Sequence, residues 1–436
     1  MAPTSTDPHH ARRWLILAVL GLAQLMVVLD ATIVNIALPS AQKALHFSDS
    51  NRQWIVTAYA LAFGSLLLLG GRIGDLFGRK WVFVAGLIGF AVASAAGGAA
   101  QSFGMLVGAR ALQGVFGALL APAALSLLTT TFTEPAERNK AFGVFGAIAG
   151  SGAAVGLLLG GILTEYLSWR WCLYVNLAFA SVAAFGAFTL LTNSAHPDKP
   201  RLDIPGTITA SAGLFGLVYG FSHAAQTSWS NPTTIGFLVA GVAVLTAFVL
   251  IQRRVANPLL PLRVVLDRDR GGAYLAMGLS GIAIFGVFLF LTYYLQQNLG
   301  FSPIQTGLAF LPMTFAIMVT ATTSQTKLLP RIGARPLVGT GLVLGAAGMV
   351  YLTGIETHSS YWSHVFPALI VMGAGFGLIF APAIATATLG VRPSDAGVAS
   401  AMVNTMQQVG GSVGVALLGT VAANAATGYL TGKGAP

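Results

Sequence analysis

One carboxylate, Asp30, stands inside the stretch VVLDATIVNIALP (27–39), and one guanidinium, Arg110, inside GARALQGVFGALLAP (108–122). Both are surrounded by apolar residues. A charge at mid-bilayer depth is disfavoured by at least ~2.5 kcal/mol on insertion scales, so a charged side chain kept there has a task. Asp30 can bind and release a proton or pair with a cation from an aqueous cavity. The alternative is an interfacial anchor, since sixteen residues into a helix place it ~24 Å along a ~30 Å path. Arg110 can partner such a carboxylate or clamp backbone carbonyls. Asn35, Trp54, Tyr59, Gln113, Asn404 and Gln408 are further polar or amphipathic side chains within apolar stretches. They are candidates for lining a substrate cavity, with hydrogen bonding between helices as the alternative for the amides.

Two more constellations stand out. GGRIGDLFGRK (70–80) sets Asp75, Arg79 and Lys80 beside Gly71 and Gly78. On the residues alone this is a charged loop whose glycines permit a tight turn and a close helix contact. Gly143, Gly152, Gly156, Gly160 and Gly161 recur along one run, and glycines at four-residue spacing let helices approach closely. No His/Cys spacing suggests a metal site, and the single cysteine, Cys172, cannot form an intramolecular disulfide. No G-x-x-x-x-G-K-[ST] loop is present, which argues against direct ATP drive. Nothing points to a cofactor or to an enzyme.

The elements that position these residues follow from composition. Charged residues are 8% of 436 and hydrophobic residues 55%, with a mean hydropathy of +0.76; a soluble domain carries roughly 25% charge. About 20 apolar residues span the hydrocarbon layer as a helix, and the unbroken runs exclude a barrel of short alternating strands. Thirteen such runs, the first at 14–38 and the last at 397–425, predict an all-α polytopic membrane protein. The lead MAPTSTDPHHARR is too polar for a signal sequence core and the run after it too long, so the first helix is expected to stay in the mature protein.

Cytoplasmic loops retain Lys and Arg. With the N-terminus inside, eighteen of the 23 Lys and Arg fall on the cytoplasmic side, Arg12, Arg72, Arg79, Lys80, Lys199, Arg201, Arg253 and Arg331 among them. Lys43, Arg52, Arg170 and Lys433 fall outside, and Arg110 lies within a helix. The net charge of +10 is thus a topology signal and requires no nucleic-acid partner.

The chain also repeats itself. FGALLAPAAL at 116–125 returns as FGLIFAPAIA at 376–385, and DLFGRK at 75–80 echoes weakly as PRIGAR at 330–335. Two halves result: a six-helix bundle over 1–192, and a second bundle over 272–436 in which five helices are read and a sixth is missing. Residues 193–271 insert helices 7 and 8 between them. In the second half Ile370 stands where the first has Arg110, which argues that Arg110 is more than architecture.

With these motifs in this order the chain resembles the fourteen-helix drug:proton antiporter branch of the major facilitator superfamily. LDATIVNIALP (29–39) is similar to that branch's first-helix motif, GGRIGDLFGRK to the superfamily's second-to-third loop, and GARALQGVFGALLAP to its fourth-helix Arg/Gln/Gly motif. Gly143, Gly152, Gly156, Gly160 and Gly161 match the glycine spacing of its antiporter helix. Leu157 replaces the proline usual after the third of that spacing's glycines, so the fifth helix is expected to be straighter. The proline usual after the sixth-helix Asn is also absent, since Leu177 and Ala178 come after Asn176.

The resemblance implies a plasma-membrane exporter in a bacterium, driven by the proton gradient, that moves small lipophilic and often cationic compounds such as antibiotics. In that reading Asp30 and Arg110 couple protons or cations, and Gly71, Asp75, Gly78, Arg79 and Lys80 form a cytoplasmic gate. Small-molecule substrate, protons and lipid are the expected partners, and the oligomeric state is left open. Two other readings stand: an exporter of another metabolite class, and a truncated relative that transports nothing.

Overall fold

The computed structural model describes residues 12–47, 49–192, 202–356 and 359–432, which form helices and no strand. Lys199, Arg201 and Lys433, on which the orientation count draws, lie outside the described residues. Every apolar run is a helical rod. The first six are α1 (Arg13–Leu45), α2 (Asp49–Phe77), α3 (Arg79–Gly98), α4 (Phe103–Thr131), α5 (Pro135–Tyr166) and α6 (Trp171–Leu190); α7 (Ile204–Gln226) and α8 (Pro232–Gln252) come next. The rest are α9 (Arg268–Tyr293), α10 (Pro303–Ala309 and Leu311–Thr323), α11 (Ala334–Leu352), α12 (Phe366–Thr388) and α13 (Ala396–Gly432). α10 breaks at Phe310, where Pro312 has no N–H to continue the ladder. Among the described residues eleven helices are long and apolar enough to cross a membrane, and α5, bent at its middle, makes a twelfth.

Packing sorts the rods into two bundles and a pair. In the first bundle α2 and α3 lie on α4, α1 lies on α5 and α6, and α3 lies on α6; in the second α10 and α11 lie on α12, and α9 on α12 and α13. The bundles meet where α2 and α4 touch α13 and where α5 touches α10 and α12. α7 packs on α8, α2 and α13, so the inserted pair covers one seam between the bundles.

The sequence echo has a structural counterpart. Gly78 (φ 96°) and Gly333 (φ 77°) both hold the residue before a helix, α3 and α11, in a left-handed backbone region that favours glycine. Pro122 and Pro382 both lie inside fully packed stretches of α4 and α12.

α5 corrects one expectation. It is not straightened by Leu157: its halves, Pro135–Gly152 and Ala154–Tyr166, are inclined by 49°. The break falls between Gly152 and Ala154, before the leucine and just after Gly150-Ser151-Gly152. Ser151 donates its hydroxyl to the Ala147 carbonyl at 2.6 Å, and small residues with such back-bonding are a common cause of kinks without proline. Leu157 itself is buried.

The bend divides the work of the five glycines. Gly152, Gly156 and Gly160 face α1 at Val28, Leu29, Thr32 and Ile33, whereas Gly143 and Gly161 face α10 at Thr322 and Ile304. A Cβ at Gly156 would collide with the Thr32 hydroxyl and come within 3.0 Å of the Leu29 carbonyl. Gly156→Val is therefore expected to push α1 from α5 and to destabilise the protein by about 1–3 kcal/mol. The check is the midpoint of unfolding in detergent, and an unchanged midpoint would mean the contact has slack.

Candidate functional site

Asp30 lies at the middle of α1, because that helix continues through Pro39 to Leu45. It is fully buried, as are Ser94 of α3, Arg110 and Gln113 of α4 and Asn176 of α6. Asp30 thus faces the protein interior. Arg110 donates through Nη1 to Asp30 Oδ2 at 2.5 Å, while Gln113 Nε2 and Asn176 Nδ2 donate to Oδ1 at 2.9 and 2.7 Å. Gln113 and Asn176 also donate to the Ser94 hydroxyl oxygen, at 2.5 and 3.0 Å. The four helices thus converge on one carboxylate, and each contributes a polar side chain to the cage.

Arg110 is held from its other sides as well. Its Nε donates to the Ile55 carbonyl of α2 at 3.3 Å, Nη1 also donates to Gln113 Oε1 at 2.8 Å, and the guanidinium carbon lies 4.4 Å from the centre of the Tyr59 ring. The close approach of α2 to α4 that brings Tyr59 over Arg110 depends on Gly114, where a Cβ would come within 2.5 Å of the Tyr59 carbonyl. A buried charge pair persists only when its geometry is good and its remaining donors and acceptors are used. Here the carboxylate accepts from three donors. The Tyr59 hydroxyl and Asn176 Oδ1 have no hydrogen-bond partner, which leaves a polar edge on an otherwise satisfied cage.

The second site joins the two bundles. Asp75, near the end of α2, accepts from Arg79 Nη2 at 3.0 Å and from the backbone N–H of Gly397, at the start of α13, at 3.1 and 3.2 Å. A carboxylate at a helix N-terminus meets unpaired N–H groups and the positive end of the helix dipole. Gly71 and Gly397 make the contact possible: a Cβ on Gly71 would lie 2.5 Å from the Gly397 carbonyl oxygen and 2.8 Å from the Ala401 side chain. Arg72, Arg79 and Lys80 make this end of the molecule its basic face. Lys80 does not join the contact; its Nζ donates to the carbonyls of Phe188 and Leu191 at the end of α6. At the same face Arg13 of α1 pairs with Glu137 of α5, and Arg138 donates to the Thr388 hydroxyl of α12 at 3.1 Å.

The cavity candidates scatter. Tyr59 and Gln113 belong to the cage. Trp54 turns toward Tyr219 of α7, with ring centres 6.3 Å apart, and Asn35 is exposed on α1. Asn404 donates to the Ser400 carbonyl of its own helix at 3.0 Å, and Gln408 packs beside Gly64 at the α2–α13 seam. Sequence reasoning misses two members of the cage. Asn176 enters it only through its lack of a neighbouring proline, although an amide inside the sixth apolar run is a signal of the same kind as Gln113. Ser94 gives no such signal, because serine is an ordinary small residue in a packed helix.

The sequence profile described as Major Facilitator Superfamily matches residues 20–415. The puromycin resistance protein pur8 of Streptomyces alboniger is 53% identical over 425 residues, covering 97% of this chain and 84% of that one. The cephamycin export protein CmcT of Amycolatopsis lactamdurans is 38% identical, covering 93% and 84%. The tetracenomycin C resistance and export protein of Streptomyces glaucescens is 33% identical, covering 97% and 78%. Among solved structures, the human organic anion transporter MFSD10 (TETRAN) superposes with a TM-score of 0.64 at 17% identity over 93% of each chain.

Proposed function

The chain belongs to the major facilitator superfamily, and from that premise we propose a proton-coupled exporter of small lipophilic, often cationic compounds of the antibiotic class. It works by alternating access in a bacterial plasma membrane, with the basic face toward the cytoplasm. The observation that carries this reading is the pairing of Asp30 with Arg110 at full burial.

A closed Asp–Arg pair is neutral overall and can sit inside the bilayer. A proton on Asp30 cancels half of it and leaves the Arg110 charge uncompensated, at an effective cost of several kcal/mol in a buried site. Admitting water to the cage, or moving Arg110 to it, relieves that cost. A cationic substrate competes for the same carboxylate, so substrate and proton exclude one another and exchange results. A ligand shifts a conformational equilibrium only by its differential affinity for the two states, and a cage whose net charge changes on protonation supplies such a difference. The Asp75–Gly397 contact closes the basic face in this state. The antibiotic class of cargo is supported by the relatives named for resistance to, or export of, antibiotics.

The test is uptake into everted membrane vesicles with an acid interior at zero potential, with puromycin as the first probe. Accumulation above that of vesicles without the protein is expected, collapsing when an ionophore exchanges protons for potassium. Accumulation limited to neutral or zwitterionic solutes would assign another cargo class. No gradient-dependent accumulation of puromycin, a lipophilic cationic dye or those solutes would overturn the proposal.

A further inference from the structure

A run of contacts leads from the inserted pair α7–α8 to the Asp75 gate, buried up to its last link. Asp203, the residue before α7, is 5% exposed. It accepts from the Gly206 amide at 2.9 Å, from Gln252 Nε2 at 2.6 Å and from the Leu259 amide at 3.3 Å. Gln252, the last residue of α8, is 4% exposed, and its Oε1 accepts from the Leu260 amide at 2.9 Å. One carboxylate and one amide therefore fasten the start of α7, the end of α8 and the linker that leaves α8. The linker is then buried through Leu259, Leu260 and Val264, and makes one helical turn at Leu262–Val265.

From that turn Arg263 Nη2 reaches Asp395 Oδ2 at 2.7 Å. Asp395 is 3% exposed and immediately precedes α13, whose second residue, Gly397, donates to Asp75. Two carboxylates thus hold one helix start from two sides. Asp75 arrives from the first bundle, and Asp395 is held in turn by the linker of the inserted pair.

We propose that α7, α8 and their linker brace the basic-face gate, with Arg263 and Asp395 as the positioning residues that set the start of α13 where Asp75 can receive it. The inference rests on the alternating-access reading of that contact. An ion pair half open to water sets the size of the effect: about fivefold in the open-to-closed ratio, well short of a lock. The brace biases the gate toward closure, and Asp75 makes the closure.

The experiment reads the gate directly and needs neither substrate nor proton gradient. Ala401 is buried against Gly71 at the α2–α13 contact, so Ala401→Cys in a Cys172→Ala background reports opening as its rate of labelling by a water-soluble thiol reagent added to the basic face. Arg263→Gln and Asp395→Asn are each expected to raise that rate about fivefold. The double variant should label no faster than either single, and the exchanged pair Arg263→Asp/Asp395→Arg should label more slowly than the singles. Asp75→Asn, which removes the gate contact itself, should raise labelling further. Faster labelling in Asp75→Asn with none in Arg263→Gln or Asp395→Asn overturns the brace and leaves the gate. Additive effects in the double variant without recovery in the exchanged pair overturn it as well. No rise in any variant, Asp75→Asn included, overturns the gate and the brace together. Absence of transport by the unsubstituted protein together with the expected labelling pattern would count against the exporter reading alone.

Discussion

Asp30→Asn is expected to lower pH-gradient-driven export by at least ~100-fold, the lower end of what a positioned proton-transfer group contributes. The substitution preserves size but removes the exchangeable charge. It also changes the cage. The carboxylate accepts from Arg110, Gln113 and Asn176, whereas an asparagine has one acceptor oxygen and turns an NH2 group toward at least one of those donors. Arg110 then keeps its charge without a counter-charge, and stripping one partner from a buried pair costs about 3–5 kcal/mol. Lost transport alone would not separate coupling from instability. The double variant Asp30→Asn/Arg110→Gln separates them, since it removes both charges and should recover most of the unfolding midpoint in detergent without recovering coupled export. Wild-type rates in Asp30→Asn under a pH gradient at zero potential would put the proton site elsewhere.

Gly397→Val should arrest the cycle with the basic face open. At this position a Cβ collides with the Gly71 carbonyl oxygen and lies 2.8 Å from Asp75 Oδ2. The first of those atoms is backbone, so no side-chain rotation relieves the clash. Overpacking of this kind costs about 1–3 kcal/mol and occasionally more; at the upper end that moves a two-state population by roughly 100-fold. In the alternating-access reading the clash is confined to the closed state, so the protein should fold and insert normally while transport stops. Transport near the wild-type rate, or loss of the protein from the membrane, would each show that the Gly71–Gly397 approach is not what closes the gate.

The residues that both the sequence singles out and the structure brings together share one property: each is polar within an apolar run, and lipid makes such residues conspicuous. Asp30, Arg110 and Gln113 stand out for that reason, and the structure brings all three together. Hydropathy describes one helix at a time, so it does not tell which side chains meet. Asn176 enters the cage from 146 positions away along the chain, and Trp54, a cavity candidate, turns to Tyr219 of α7. The bend in α5 is easily missed because an absent proline is conspicuous, while the Gly150-Ser151-Gly152 run that precedes the break is not. Lys80 groups with Asp75 and Arg79 by adjacency, yet the turn at Gly78 sends it to the end of α6. The all-helical character of the apolar runs and the paired Gly78/Gly333 and Pro122/Pro382 positions are more legible, since apolar length and these short echoes are local properties.

The way α8 is held has a consequence for how the protein is made. α8 buries only Thr234, Gly241, Phe248 and Gln252, and its packing is on α7, where Gly213, Gly216 and Gly220 meet Leu245, Gly241 and Leu238. The two helices are joined by residues 227–231 and can leave the translocation channel as a hairpin whose partner surface is already satisfied. Chains are completed from the N-terminus and domains fold in that order. The first bundle can therefore close, and α7 can settle on α2, while the ribosome is still producing α9. α13, synthesised after every other described helix, then finds a cradle of α2, α4, α7 and α9 waiting. Its insertion into that cradle joins the two bundles, and until then the surfaces of α2, α4, α7 and α9 that receive it stay open to lipid and to membrane quality control.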